Sequence, residues 1–218
     1  MLVTSCNKDD ETPAIITDID GNEYHTVTIG TQVWMIENLK TTKYRNGDLI
    51  GTSIPATLDI SSESSPKYQW AYNEEESKVA TYGRLYTWYA VTESRNVCPT
   101  GWHVPAKDEL TTLTTYLGGG GATPEYVAAA KLKEKGTAHW ESPNTGATNE
   151  SGFTALPGGF RYTEGLFSYL GKTSVLWSSS ETDADYACSY FLEYDLANYG
   201  MSCYSQKKQG YSVRCVRD

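Results

Sequence analysis

Nine residues, Val97 to Pro105 (VCPTGWHVP), constrain this chain more than any other stretch. They set a cysteine, a turn glycine, a tryptophan, a histidine and two prolines directly ahead of a helix pattern. Leu110, Leu113 and Leu117 then recur at helical spacing, Asp108 and Glu109 fall in the first turn, and Gly118 ends the run. A second helix follows, with Thr123 as N-cap, Pro124 in the first turn, Ala128 to Ala130 in the middle, three lysines near its end and Gly136 as its stop.

Strand patterns flank these helices. Ile15 to Ile29 predicts a hairpin turning at Asp20-Gly21-Asn22, with Ile15, Thr17 and Ile19 alternating on one arm and Tyr24, Thr26 and Thr28 on the other. Val33 to Ile36 reads as a short buried strand, and Asn46-Gly47-Asp48 as another turn. Residues 52–78 are rich in Ser, Glu and Pro, and form a surface excursion that Tyr68, Trp70 and Tyr72 lay against the domain. Tyr82 to Val91 fits strand and helix equally. Beyond a loop at 144–152, strands are expected at 153–156, 159–162, 175–178, 186–192 and 210–216. Central helices with strands on both sides predict an α+β fold with a mostly antiparallel sheet. Residues 1–13 read as a tether and 14–218 as one domain.

The net charge of −9 argues against nucleic acid or an anionic membrane surface as partner, because both need clustered Lys and Arg. Five acids and no base lie between Glu181 and Asp195, and four bases and no acid between Lys207 and Arg217. Both runs read as solvated faces. No segment approaches the ~20 apolar residues of a transmembrane helix.

The five cysteines, Cys6, Cys98, Cys188, Cys203 and Cys215, include no C-x-x-C pair, and the three histidines are scattered, so no zinc site is expected. Cys6 stands apart. Leu2 to Ser5 has the apolar-then-small approach of a lipidated bacterial cysteine, and Asn7 to Glu11 is a charged tether. The other four suit a disulfide-permissive compartment, and three pairings are open to them.

Catalytic motifs fail one by one. Gly165 and Gly171-Lys172-Thr173 leave five residues between glycines where a phosphate loop needs four. Ser178 to Ser180 have no histidine nearby in sequence. His103 reads as a buried structural histidine bonded to backbone, and Arg161 and Arg214 as stacked or buried structural groups. Glu181, Asp183 and Asp185 alternate, but the spaced loop of a calcium site is missing. No catalytic residue, metal or cofactor is expected.

Six motifs in fixed order carry a resemblance: TIGTQVWMIENLK (28–40), YGRLYTWYAV (82–91), CPTGWHVP (98–105), SGFTALPGGFR (151–161), WSSSE (177–181) and SVRCVRD (212–218). Together they resemble the Fibrobacter succinogenes major paralogous domain, a family of secreted and lipid-anchored bacterial proteins. Leu110 departs from the pattern, standing where a tryptophan is expected. The motifs are also similar to those of the C-type lectin-like superfamily, which includes the formylglycine-generating sulfatase modifiers. The resemblance implies a lectin-like arrangement of two helices packed on short, mostly antiparallel sheets with long loops. It also implies nested disulfides, Cys98 to Cys215 and Cys188 to Cys203. The modifiers' catalytic cysteine pair has no counterpart here. Ser142-Pro143-Asn144 has serine where the lectins' calcium signature has its carboxylate.

The expectation is an outer-membrane lipoprotein, anchored at Cys6 and facing the cell exterior, that binds an extracellular glycan or protein. Its ligand is expected on loops 140–152, 161–170 and 181–204, at Trp140, Tyr162, Tyr169, Glu181 and Tyr199. The alternatives are a structural envelope or adhesin component, and a modifying oxidase.

Overall fold

The computed structural model describes residues 14–119, 126–197 and 199–218. Cys6, Thr123 and Pro124 lie outside them. The architecture is α+β, with antiparallel pairing in every ladder. The expected hairpin forms from β1 (Ile15–Thr17) and β2 (Glu23–Ile29), and β3 (Gln32–Met35) pairs with β2. Tyr24 is fully buried and its hydroxyl donates to Asp18 at 2.6 Å, which ties the turn to the core.

The excursion at 52–78 lies on the body, as its aromatics predict. It contributes β4 (Gln69–Trp70), and Ala56, Ile60, Trp70 and Tyr72 pack there as a small core of their own. The ambiguous 82–91 stretch is divided: α1 (Val79–Tyr82) ends at its first residue, β5 (Leu85–Tyr86) pairs with β4, and α2 (Trp88–Val91) is a single turn.

VCPTGWHVP leads through β6 (Trp102–His103) into α3 (Lys107–Tyr116). Ala106 has no capping side chain. The Glu109 carboxylate therefore accepts the Ala106 N–H at 2.8 Å, and Ser180 Oγ accepts the Lys107 N–H at 2.9 Å. Ser180 is thus a helix cap borrowed from a distant strand.

The second helix, α4 (Tyr126–Leu132), stops four residues before Gly136. The backbone leaves the helix there: the Lys133 N–H still donates to the Ala129 carbonyl, but the Glu134 N–H turns to the Ala155 carbonyl. Lys133 is not part of a solvated basic end but fully buried, donating to the carbonyls of Thr145, Glu193 and Leu196 at 2.9, 3.0 and 2.9 Å. Burial lowers its pKa to about 8.

The C-terminal half corrects two loop assignments. Beyond β7 (Gly158–Arg161), the chain turns at Gly165 into β8 (Phe167–Leu170), a strand where a loop was expected. β9 (Thr173–Glu181) and β10 (Tyr186–Glu193) follow. β11 (Tyr199–Gln206) is the second strand read from sequence as loop. These last three form a sheet in the order β11-β10-β9. Conversely, 153–156 yields only a bridge at Ala155, and 210–216 only isolated bridges and β12 (Val216–Arg217). β12 sits between β3 and β6, closing the five-stranded sheet β1-β2-β3-β12-β6. Both disulfides of the nested pattern are present, Cys98–Cys215 and Cys188–Cys203.

β9 and β10 separate two cores. Leu176, Tyr190 and Leu192 face α3 and α4, where Leu110, Leu113, Ala128 and Ala129 meet them. Val175, Trp177 and Ala187 face the other way, towards Tyr24, Tyr86, Trp102 and the Cys98–Cys215 pair. Among the described residues no helix is long and apolar enough to cross a membrane.

Candidate ligand-binding cleft

The face of the β9–β11 sheet turned away from the helices is only partly covered. Register puts Val175 opposite Phe191, Thr173 opposite Glu193, and Ser202 opposite Ser189. Strand alternation sets these side chains on one face. The β7–β8 hairpin stands over that face and brings Phe160, Tyr162 and Tyr169. A cleft of about 370 Å³ lies between them, completed by Tyr204, Ser205, Gln209 and Tyr211.

Its aromatic wall is built in depth. Tyr211 packs on the buried Trp177 at 4.3 Å between centroids. Phe160 meets Tyr211 edge-on at 5.8 Å and Tyr162 at 4.9 Å, and stacks on Tyr169 at 5.2 Å with planes 9° apart. Each such pair contributes ~0.5–1.5 kcal/mol beyond its buried area. At the rim Tyr169 is 49% exposed and Tyr204 79% exposed.

Two glycines make this geometry possible. Gly159 has φ +61°, and a Cβ there would sit 2.5 Å from the Ser168 carbonyl oxygen and 2.7 Å from the Leu170 nitrogen. Across the hairpin Tyr169 has φ +63°. Left-handed backbone costs a side-chain-bearing residue ~1–3 kcal/mol, and such strain gathers at functional sites. Gly200 lies under the Phe191 ring, which leaves no room for any side chain there.

The polar complement is mainly hydroxyls and amide. Ser189 and Ser205 hydroxyls pair at 2.7 Å, and Tyr211 donates to Gln209. Burial pushes the Tyr211 phenol up to about 12, and burial followed by the neighbouring Tyr169 raises Tyr162, so both phenols hold their protons at neutral pH.

Of the five residues expected to bind ligand, the structure brings Tyr162 and Tyr169 together here. Trp140 is in the helix-side core, its Nε1 donating to the Ala155 carbonyl at 2.9 Å. Glu181 is at the far end of β9, ion-paired with the buried Lys207. The Tyr199 backbone opens β11 opposite Leu192, and its side chain lies outside the described ones. Sequence reasoning missed Phe160, Phe191 and Glu193. Their signal was period-2 alternation, Phe160 with Tyr162 and Ser189 with Phe191 and Glu193.

Other expectations are corrected or upheld outside the cleft. His103 is half-buried and bonded to carboxylates instead of backbone: Nδ1 is 2.7 Å from Asp218 and Nε2 2.9 Å from Glu109. Burial alone would lower its pKa, but these two partners reverse the effect and the net shift is upward. Arg161 and Arg214 are buried and stacked, on Trp70 at 4.3 Å and Phe153 at 4.4 Å, with carbonyl and amide oxygens as acceptors. Asp183 accepts the N–H groups of Asp185 and Tyr186, capping the β9–β10 turn. Among the described residues no three metal-ligating side chains cluster.

No curated protein and no solved structure matches this chain. The Fibrobacter succinogenes major domain matches residues 27–217, taking in α1 to α4, the cleft and, among the described residues, three of the four sheets entire. The chain belongs to the family defined by that domain.

Proposed function

We propose that this protein is an extracellular binding module, and that a glycan occupies the cleft between the β7–β8 hairpin and the β9–β11 sheet. The observation that carries the reading is the pairing of exposed rings, Tyr169 and Tyr204, with a lining of hydroxyl and amide groups. Flat aromatic faces stack on the apolar faces of sugar rings, and short polar side chains meet their hydroxyls. A lipid anchor at Cys6 and an outer-membrane address facing outward complete the proposal, resting on the sequence pattern alone.

A C-type lectin-like arrangement is part of the same reading. Its support is the disulfide from the pre-helix segment to the residue just before the last strand, and the presence of first and last strands in one sheet. The binding reading is favoured over a modifying oxidase because Cys98, Cys188, Cys203 and Cys215 are all held in disulfides.

A glycan array probed with the soluble protein, with and without calcium, tests this directly. Binding is expected without calcium. Tyr162→Ala and Tyr169→Ala are each expected to cost ~2 kcal/mol, about thirtyfold in affinity, with unfolding temperatures held near the parent's. Retained affinity in both variants would place the ligand elsewhere.

A further inference from the structure

The charge around the cleft is one-sided. Glu193 is the single ionisable carboxylate in its lining, and no Lys, Arg or His lines it. Glu193 makes no ion pair with a described residue. Three bases, Arg161, Lys172 and Lys208, adjoin lining residues in sequence and Lys207 lies two residues away, and each is engaged elsewhere. Arg161 lies on Trp70 and donates to the carbonyls of Ala56 and Leu58. Lys172 is 3.7 Å from Glu141. Lys207 is buried against Glu181 and the Trp88 ring. Lys208 donates to the Ser61 carbonyl. Among the lining residues an anion entering the cleft therefore meets a carboxylate and no cation, in a protein of net charge −9; the Lys133 ammonium behind the Glu193 backbone is engaged by three carbonyls on the helix side.

Resting on the glycan reading above, we infer that the cleft selects saccharides that are uncharged or carry an amine, and turns away those bearing carboxylate or sulfate, with Glu193 as the residue that discriminates. Its carboxylate accepts hydrogen bonds from a sugar hydroxyl or ammonium and has no proton to offer an anion. Tyrosine and serine hydroxyls serve either kind of sugar, so the distinction falls on Glu193. Specificity of this sort comes as much from the repulsive element as from the attractive one.

The experiment titrates the full chain with matched hexasaccharides of the gluco, galacto and manno series, each in neutral, amine-bearing and uronic acid form. Within the series that binds, the uronic form is expected about tenfold or more weaker than the neutral one at low salt. Added salt narrows the gap, because screening weakens the repulsion. Glu193→Gln is expected to narrow it at fixed salt and to remove any preference for the amine. Thermal unfolding of this variant accompanies the titration, and Glu193→Asp, which keeps the charge, should restore the discrimination. Uronic forms binding as tightly as neutral ones would overturn the charge selection and leave the cleft as a glycan site. An unchanged gap in Glu193→Gln would overturn the role of that residue. No binding by any series would remove the charge selection and the glycan reading together.

Discussion

Tyr169 and Trp140 show how one kind of side chain reaches opposite ends. Both sit in segments that read as loop, and sequence gives each the same claim on a ligand. Trp140 follows a buried lysine whose ammonium lies 5.5 Å from its ring, and its indole N–H is spent on a core carbonyl. Trp140→Ala is expected to cost ~3–5 kcal/mol in denaturant melts, the range for losing a large buried ring. His103 supplies a pH effect at the same scale. Its folded pKa is raised, so its contribution to stability is complete below its unfolded value near 6.5 and is lost as pH rises through the higher folded value. Melts of His103→Gln against the parent should therefore differ most below about pH 6.5 and converge as pH rises through the raised folded value. Arg161 and Arg214 were legible because aromatic and β-branched neighbours announce burial. Lys133 was not, since a lysine near a helix end ordinarily lies in water and only three carbonyls, two from loops and one from the end of β10, explain its place inside.

At the scale of elements, apolar period decided what could be read. α3 repeats leucine at helical spacing, and the first hairpin has turn chemistry between alternating arms. β8 and β11 lack aliphatic runs because one face of each serves the cleft or its rim, where Ser and Tyr replace Val and Ile. Half of the candidate site was hidden for that reason: the strands that build it do not look like strands of a core. The inner disulfide joins two of these strands and the outer one joins the pre-helix segment to the residue just before β12. Loops of 15 and 117 residues predict losses of ~3 and ~4.7 kcal/mol or slightly more when each pair is replaced by serine. Equilibrium unfolding of the two double variants should rank them in that order.

For the whole molecule, the six ordered motifs were the most informative text in the chain, and the family match extends over nearly all of it. The cleft and the two larger cores all draw on β9 and β10. The Cys98–Cys215 bridge gives that arrangement a mechanical property. Every cleft residue lies in sequence between its two cysteines, as does the inner disulfide. Tension applied between the N-terminal hairpin and a ligand in the cleft enters this closed loop at Cys98 and divides between two arms, one along the chain from Cys98 and one across the bridge and back from Cys215. The loop's 117 residues would span ~400 Å as a single extended strand, but with both arms tied a load on the cleft can draw out no more than about half of that. A domain built this way yields like a rope with a loop tied in it, giving up the length before Cys98 and beyond it only the shorter side of the loop.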